Sequence, residues 1–146
     1  MLVAGGWLLG VGIRGQGQGM RLMNAHTRTV VASAVEVADD RATRRKGLLD
    51  RDHLDPAAAL VLTPCFSVHT AFMQFPIDVV FVGRNGIVLK VVRQMGPWRI
   101  AAAWGAHTVI ELAAGAVAGT RDVRVGDRLY IGSGHVPAES MEVSLA

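Results

Sequence analysis

The chain has 146 residues, enough for one domain with a single core and too few for two full domains. Its composition, 51% hydrophobic and 18% charged with a mean hydropathy of +0.33, excludes disorder throughout, because ample apolar surface offsets the ordering entropy. The formal net charge is only +3, so the basic pI of about 9.8 describes a solvated arginine-rich surface rather than a nucleic-acid field. Cys65 is the one cysteine; no intrachain disulfide and no cysteine-based zinc site can close, which fits a reducing compartment.

In chain order, Leu2 to Ile13 is apolar and glycine-rich, followed by a polar Gly/Gln stretch from Arg14 to Gly19. Twelve residues fall short of the roughly 20 that span a bilayer. The run also lacks the preceding positive charge and the following small-residue cleavage site of a secretion signal. Residues 1–19 are therefore expected to be a mis-started or floppy leader, with Met20 as the natural start and a cytoplasmic location. Membrane association of residues 1–13 is the disfavoured rival.

Arg21 to His26 and Thr29 to Val37 lean to strand, the second carrying Val30, Val31, Val35 and Val37. Asp39 or Asp40 can cap a helix running to Leu48 or Leu49, with Gly47 in its last turn. After a charged loop from Arg51 to Pro56, Ala58 to Leu62 reads as a strand stopped by Pro64. Ile77 to Val82 and Ile87 to Val92 flank Asn85-Gly86, a strong hairpin signal because both turn residues tolerate positive φ. Gly96-Pro97 breaks the chain, Thr108 to Leu112 resumes a strand, and Ala113 to Thr120 reads as a helical turn or loop. The Gly126-Asp127 turn leads to a last strand at Arg128 to Ile131, and residues 132–146 read as a flexible tail. Short strands, regular turns and one short helix predict a mainly β domain over residues 20–131, a compact β-sandwich or partly closed barrel.

The segment Cys65 to Asp78 is the densest in chemistry-bearing side chains. Here the sequence resembles the bacterial and archaeal family known as domain of unknown function 192. The likeness is carried by Arg44-Arg45-Lys46-Gly47-Leu48-Leu49-Asp50-Arg51, by His69-Thr70-Ala71-Phe72-Met73 and by Pro76-Ile77-Asp78. Pro97-Trp98-Arg99, Val109-Ile110-Glu111-Leu112 with Gly115, and Gly126-Asp127-Arg128-Leu129 complete the pattern. The chain resembles a cysteine- and histidine-bearing short branch, with Leu49 where methionine is usual. The resemblance implies a jelly-roll-like fold and an association with secretion or pilus systems. It implies no specific activity.

Three chemistries compete for this segment. A Cys65 nucleophile with His69 as base and Asp78 as orienting group would make a thiol-dependent, hydrolase-like enzyme. Strand spacing opposes the local pairing, since four extended residues separate the side chains by roughly 13 Å. A metal held by His69, Asp78 and His107 or Glu111 lacks any paired ligand spacing, so neither metal nor cofactor is expected. The favoured reading is a non-enzymatic accessory module for an unknown small ligand or protein partner, bound through His69, Thr70, Phe72, Met73, Asp78, Trp98, Arg99 and Glu111. Aromatics in so small a β domain are more often core, but the polar residues among these need partners or a ligand. Arg44 and Arg51 are expected as structural anchors for a carboxylate such as Glu111 or Asp78. The interleaved aspartates at 39, 40, 50, 52 and 55 dilute the cationic helix, so nucleic acid is not an expected partner.

Overall fold

The computed structural model describes residues 19–133; the expectations for residues 1–18 and 134–146 lie outside the described residues. The described chain is mainly β, with strands β1 (Met20–Asn24), β2 (Thr29–Ala32), β3 (Ala34–Ala38), β4 (Ala58–Leu62) and β5 (Ser67–His69). They continue as β6 (Ile77–Val82), β7 (Val88–Met95), β8 (Ile100–Ala102), β9 (Thr108–Ala113) and β10 (Leu129–Ser133). The short helix α1 spans Arg41–Lys46, and one 3-10 turn covers Gly119–Arg121.

Three sheets result, ordered β10-β1-β2, β3-β4-β9-β6-β7 and β5-β8, and they do not close into a barrel. All pairings are antiparallel except β3 with β4. The five-stranded sheet is the central layer. Its alternation puts Val80, Val82, Ile110 and Leu112 against Leu22, Val31 and Leu129 of the three-stranded sheet. Ile77, Val79, Phe81 and Val109 pack on the other face with Leu48, Val68, Met73 and Ala101. Every residue of β6 is consequently buried, with one core against each of its faces.

Several expected elements take a different form. The run from Thr29 to Val37 divides at Ser33, which donates its amide to the Ala57 carbonyl (2.9 Å) where the chain crosses between layers. Helix α1 is capped as expected, with Asp40 Oδ1 accepting from the Thr43 amide at 2.8 Å, but it ends at Lys46. Gly47 there has φ 47° and ψ −123°, a conformation open essentially to glycine, and Leu48 turns down into the core. The hairpin forms, but its loop runs from Gly83 to Ile87 and only Gly86 takes a positive φ (81°). The β5-β8 ribbon has no sequence counterpart, because three-residue strands carry too little alternation to be read. β10 continues through Gly132 and Ser133, which pair with Arg21 and Met20.

Candidate functional site

The helix α1, its C-terminal turn and the β5-β8 ribbon cover one face of the central sheet and leave a cavity of about 120 Å³ between them. Glu111 enters it from β9, the middle strand, flanked in register by Leu60 of β4 and Val79 of β6. Glu36 stands at the far end of the same row, opposite Leu60. The Glu111 side of β9 is thus a buried apolar face into which the sequence places a carboxyl group.

Glu111 is only 5% exposed, and its Oε2 has no hydrogen-bond partner. Burial pushes its pKa up to about 7, against the opposing positive field of Arg51. The expected anchors serve other groups. Arg51 Nη2 binds Glu36 Oε2 at 2.6 Å, two strands from Glu111 across the sheet. Arg44 Nη1 donates to the carbonyls of Asp39 and Thr63, strapping the helix to the end of β4. Position explains this: Arg44 faces the strand ends and Arg51 the sheet edge, so neither closes on Glu111.

Cys65, His69, Met73 and Arg44 line the same cavity as Glu111. The remaining expected residues do not. Asp78 projects from the opposite face of β6, where Oδ1 accepts from the Gln94 amide (2.8 Å) and Oδ2 from the amides of Gly115 (3.0 Å) and Val117 (3.3 Å). It cannot orient His69 while its own side chain lies across the sheet. Thr70 is fully buried; its hydroxyl donates to the Gly96 carbonyl (2.7 Å) and accepts from the Arg99 amide (2.9 Å), fixing the loop before β8. The Arg99 side chain is exposed. Among the described residues no group of three or more His, Cys, Asp or Glu is placed to hold a metal ion. His107 lines a separate depression with Arg84 and Trp104.

Phe72 and Trp98 are not core. Their rings meet at 4.6 Å, tilted by 59°, yet they are 72% and 66% exposed. Both backbones take positive φ, 65° and 62°, a strained choice for bulky residues. Ile100, Phe66 and Trp104 are exposed as well. Sequence reasoning missed Gly47 and Leu48 as cavity walls and Glu36 as the partner of Arg51. The only sequence signal for Glu36 was its place as a lone carboxylate inside the β-run Val35-Glu36-Val37.

Cys65 donates its amide to the His107 carbonyl (2.8 Å) and its thiol to the Ser67 carbonyl (3.2 Å). Burial pushes the thiol pKa above its ordinary value, and the Glu111 charge adds to that. The thiol is therefore expected to be protonated at neutral pH and to alkylate more slowly than a free cysteine. A pH series of iodoacetamide labelling checks this; rapid labelling at pH 7 would contradict it.

Residues 22–131 match the model of a protein family, DUF192, described as an uncharacterized ACR. The chain belongs to the DUF192 family. Two solved structures share its fold. One is a protein of unknown function from Novosphingobium aromaticivorans DSM 12444, 22% identical with a TM-score of 0.65 over 76% of this chain and 82% of that one. The other, from Sinorhizobium meliloti 1021, is described as a proposed transcription regulator; it is 24% identical with a TM-score of 0.65 over 79% and 96%. Among curated proteins none matches this chain. No helix among the described residues is long and apolar enough to cross a membrane.

Proposed function

We propose that this DUF192 chain is a non-enzymatic binding module that takes a small ligand into the cavity between α1 and the β5-β8 ribbon. The observation that carries the reading is Glu111: a carboxyl buried on a central strand, with an oxygen that no protein group satisfies. Native proteins rarely leave such an atom unpaired, since an unmet buried acceptor costs about 1–3 kcal/mol. A group supplied from outside removes that cost. Mixed walls support the same reading: Leu48, Leu62 and Met73 give apolar area, while Cys65, His69 and Glu111 give a few convergent polar atoms.

A test is an NMR fragment screen on the full chain, with Glu111→Gln as the control. Binders should perturb Leu48, Met73 and Glu111, and lose affinity in the variant. A screen that yields no saturable perturbation of those residues would overturn the reading. The thiol-dependent enzyme is the second reading, and one observation favours it: Cys65, His69 and Glu111 share the cavity. The hydrogen bond from its thiol to Ser67 and the raised pKa of Cys65 oppose it, and the labelling series above separates the two.

A further inference from the structure

The charges around the cavity differ between its floor and its mouth. On the floor is one carboxyl group, Glu111, with Oε2 unpartnered. At the mouth the last turn of α1 presents three cations in succession, Arg44, Arg45 and Lys46. Arg44 is committed to the carbonyls of Asp39 and Thr63, and Lys46 makes a loose, exposed pair with Asp50 at 3.4 Å. Arg45 makes no ion pair among the described residues. Cys65, just before β5, and His69 at the end of β5 line the same cavity, and neither supplies an anion at neutral pH. The remaining nearby charges, Arg51 and Glu36, pair with each other at 2.6 Å, and Arg51 still favours the ionised form of Glu111 from the sheet edge.

A ligand bearing only a negative charge would be drawn to the mouth but would meet the carboxyl oxygens of Glu111 on the floor. One bearing only a positive charge would satisfy the floor and be repelled at the mouth. We propose that the cavity selects a small bipolar ligand, an amino-carboxylate, with its ammonium group on Glu111 and its anionic group on Arg45 and Lys46. This rests on the binding reading above and names the ligand class for it. An ammonium supplies three donors, enough to serve Oε2 and share a further bond with Oε1, and it offsets the cost of keeping the carboxylate ionised in a buried place. The cavity of about 120 Å³ has room for a few non-hydrogen atoms beyond a single water, so the smallest amino-carboxylates, glycine and alanine, are the members of the class to try first.

The test measures binding of glycine, L-alanine, methylammonium and acetate to the full chain by NMR titration at pH 8 and pH 5.5. Glycine or alanine should saturate shifts at Leu48, Met73 and Glu111 at pH 8, and bind more weakly at pH 5.5, where Glu111 is protonated. Glu111→Gln should weaken them about tenfold to a hundredfold, the scale of a lost charged hydrogen bond. Arg45→Ala with Lys46→Ala should weaken them while leaving methylammonium unaffected or improved. Acetate binding as tightly as alanine, or alanine binding unchanged in Glu111→Gln, would overturn the proposal. If the amino-carboxylates fail and uncharged fragments still fill the cavity, the bipolar ligand is wrong and the binding module stands. If no probe perturbs the cavity, both fall.

Discussion

Replacing Glu111 with glutamine is expected to stabilise the chain at pH 8 by about 3 kcal/mol and to change little at pH 4. The sign follows from linkage. In the unfolded chain Glu111 titrates near the ordinary glutamate value of 4.5, whereas in the folded chain burial holds it at about 7. Between those values the folded state keeps a proton that the unfolded state has released. Stability therefore falls as pH rises from 4.5 to about 7, and the loss is complete above that window. Glutamine has the same shape and no charge, so it escapes the loss. Urea unfolding of both proteins across pH 4 to 8 checks this. Parallel curves, with no widening of the gap above pH 5, would show that Glu111 finds a partner after all.

The second large effect is at Asp78, and it has the opposite sign. Asp78→Ala is expected to cost about 3–5 kcal/mol, because three backbone amides lose their acceptor at once. Those amides belong to two separate segments, the end of β7 and the loop after β9, so one carboxylate ties both to β6. Gln94 sits there at φ 50°, a strained conformation that the bond from its amide to Asp78 Oδ1 helps to hold. Asp78→Asn should be nearly as harmful, since its NH2 group would point at the Gly115 and Val117 donors or force a flip away from Gln94. Thermal melts decide it: a drop of about 10 °C or more is expected in both variants. Melting within a degree or two of the unsubstituted chain would return Asp78 to the pool of functional candidates.

Taken together, the two carboxyls show how one residue type serves opposite ends. Asp78 and Glu111 both lie on central strands and both are nearly inaccessible. Asp78 is answered by the backbone around it, which marks a structural role. Glu111 Oε2 is not, which is the observation the proposed ligand cavity rests on. Only the hydrogen-bond inventory separates them, and nothing in Pro76-Ile77-Asp78 or Val109-Ile110-Glu111 announces the difference.

Local pattern alone sufficed for a good part of the chain. The apolar run before Pro64 named β4, β-branched runs named β6 and β9, a cap at Asp39 or Asp40 named the start of α1, and Asn85-Gly86 named the β6-β7 turn, because each depends on neighbours a few residues away. The ordered motifs from Arg44 to Leu129 also pointed to the DUF192 family. Other features were decided only when distant segments met. Whether Phe72 and Trp98 lie in the core or at the surface depends on what covers the ribbon, and their side chains remain exposed. Whether Cys65 meets His69 or Asp78 depends on which sheet face each occupies, and β6 places Asp78 on the far side. The segment from Cys65 to Asp78, rich in polar and aromatic residues, could thus be singled out by composition. Its cavity could not, because the floor comes from β9 and the mouth from α1, both well outside the segment in sequence. Periodicity fixes which residues share a strand face; the partner across that face is set by packing, and so is the burial that gives Glu111 its chemistry.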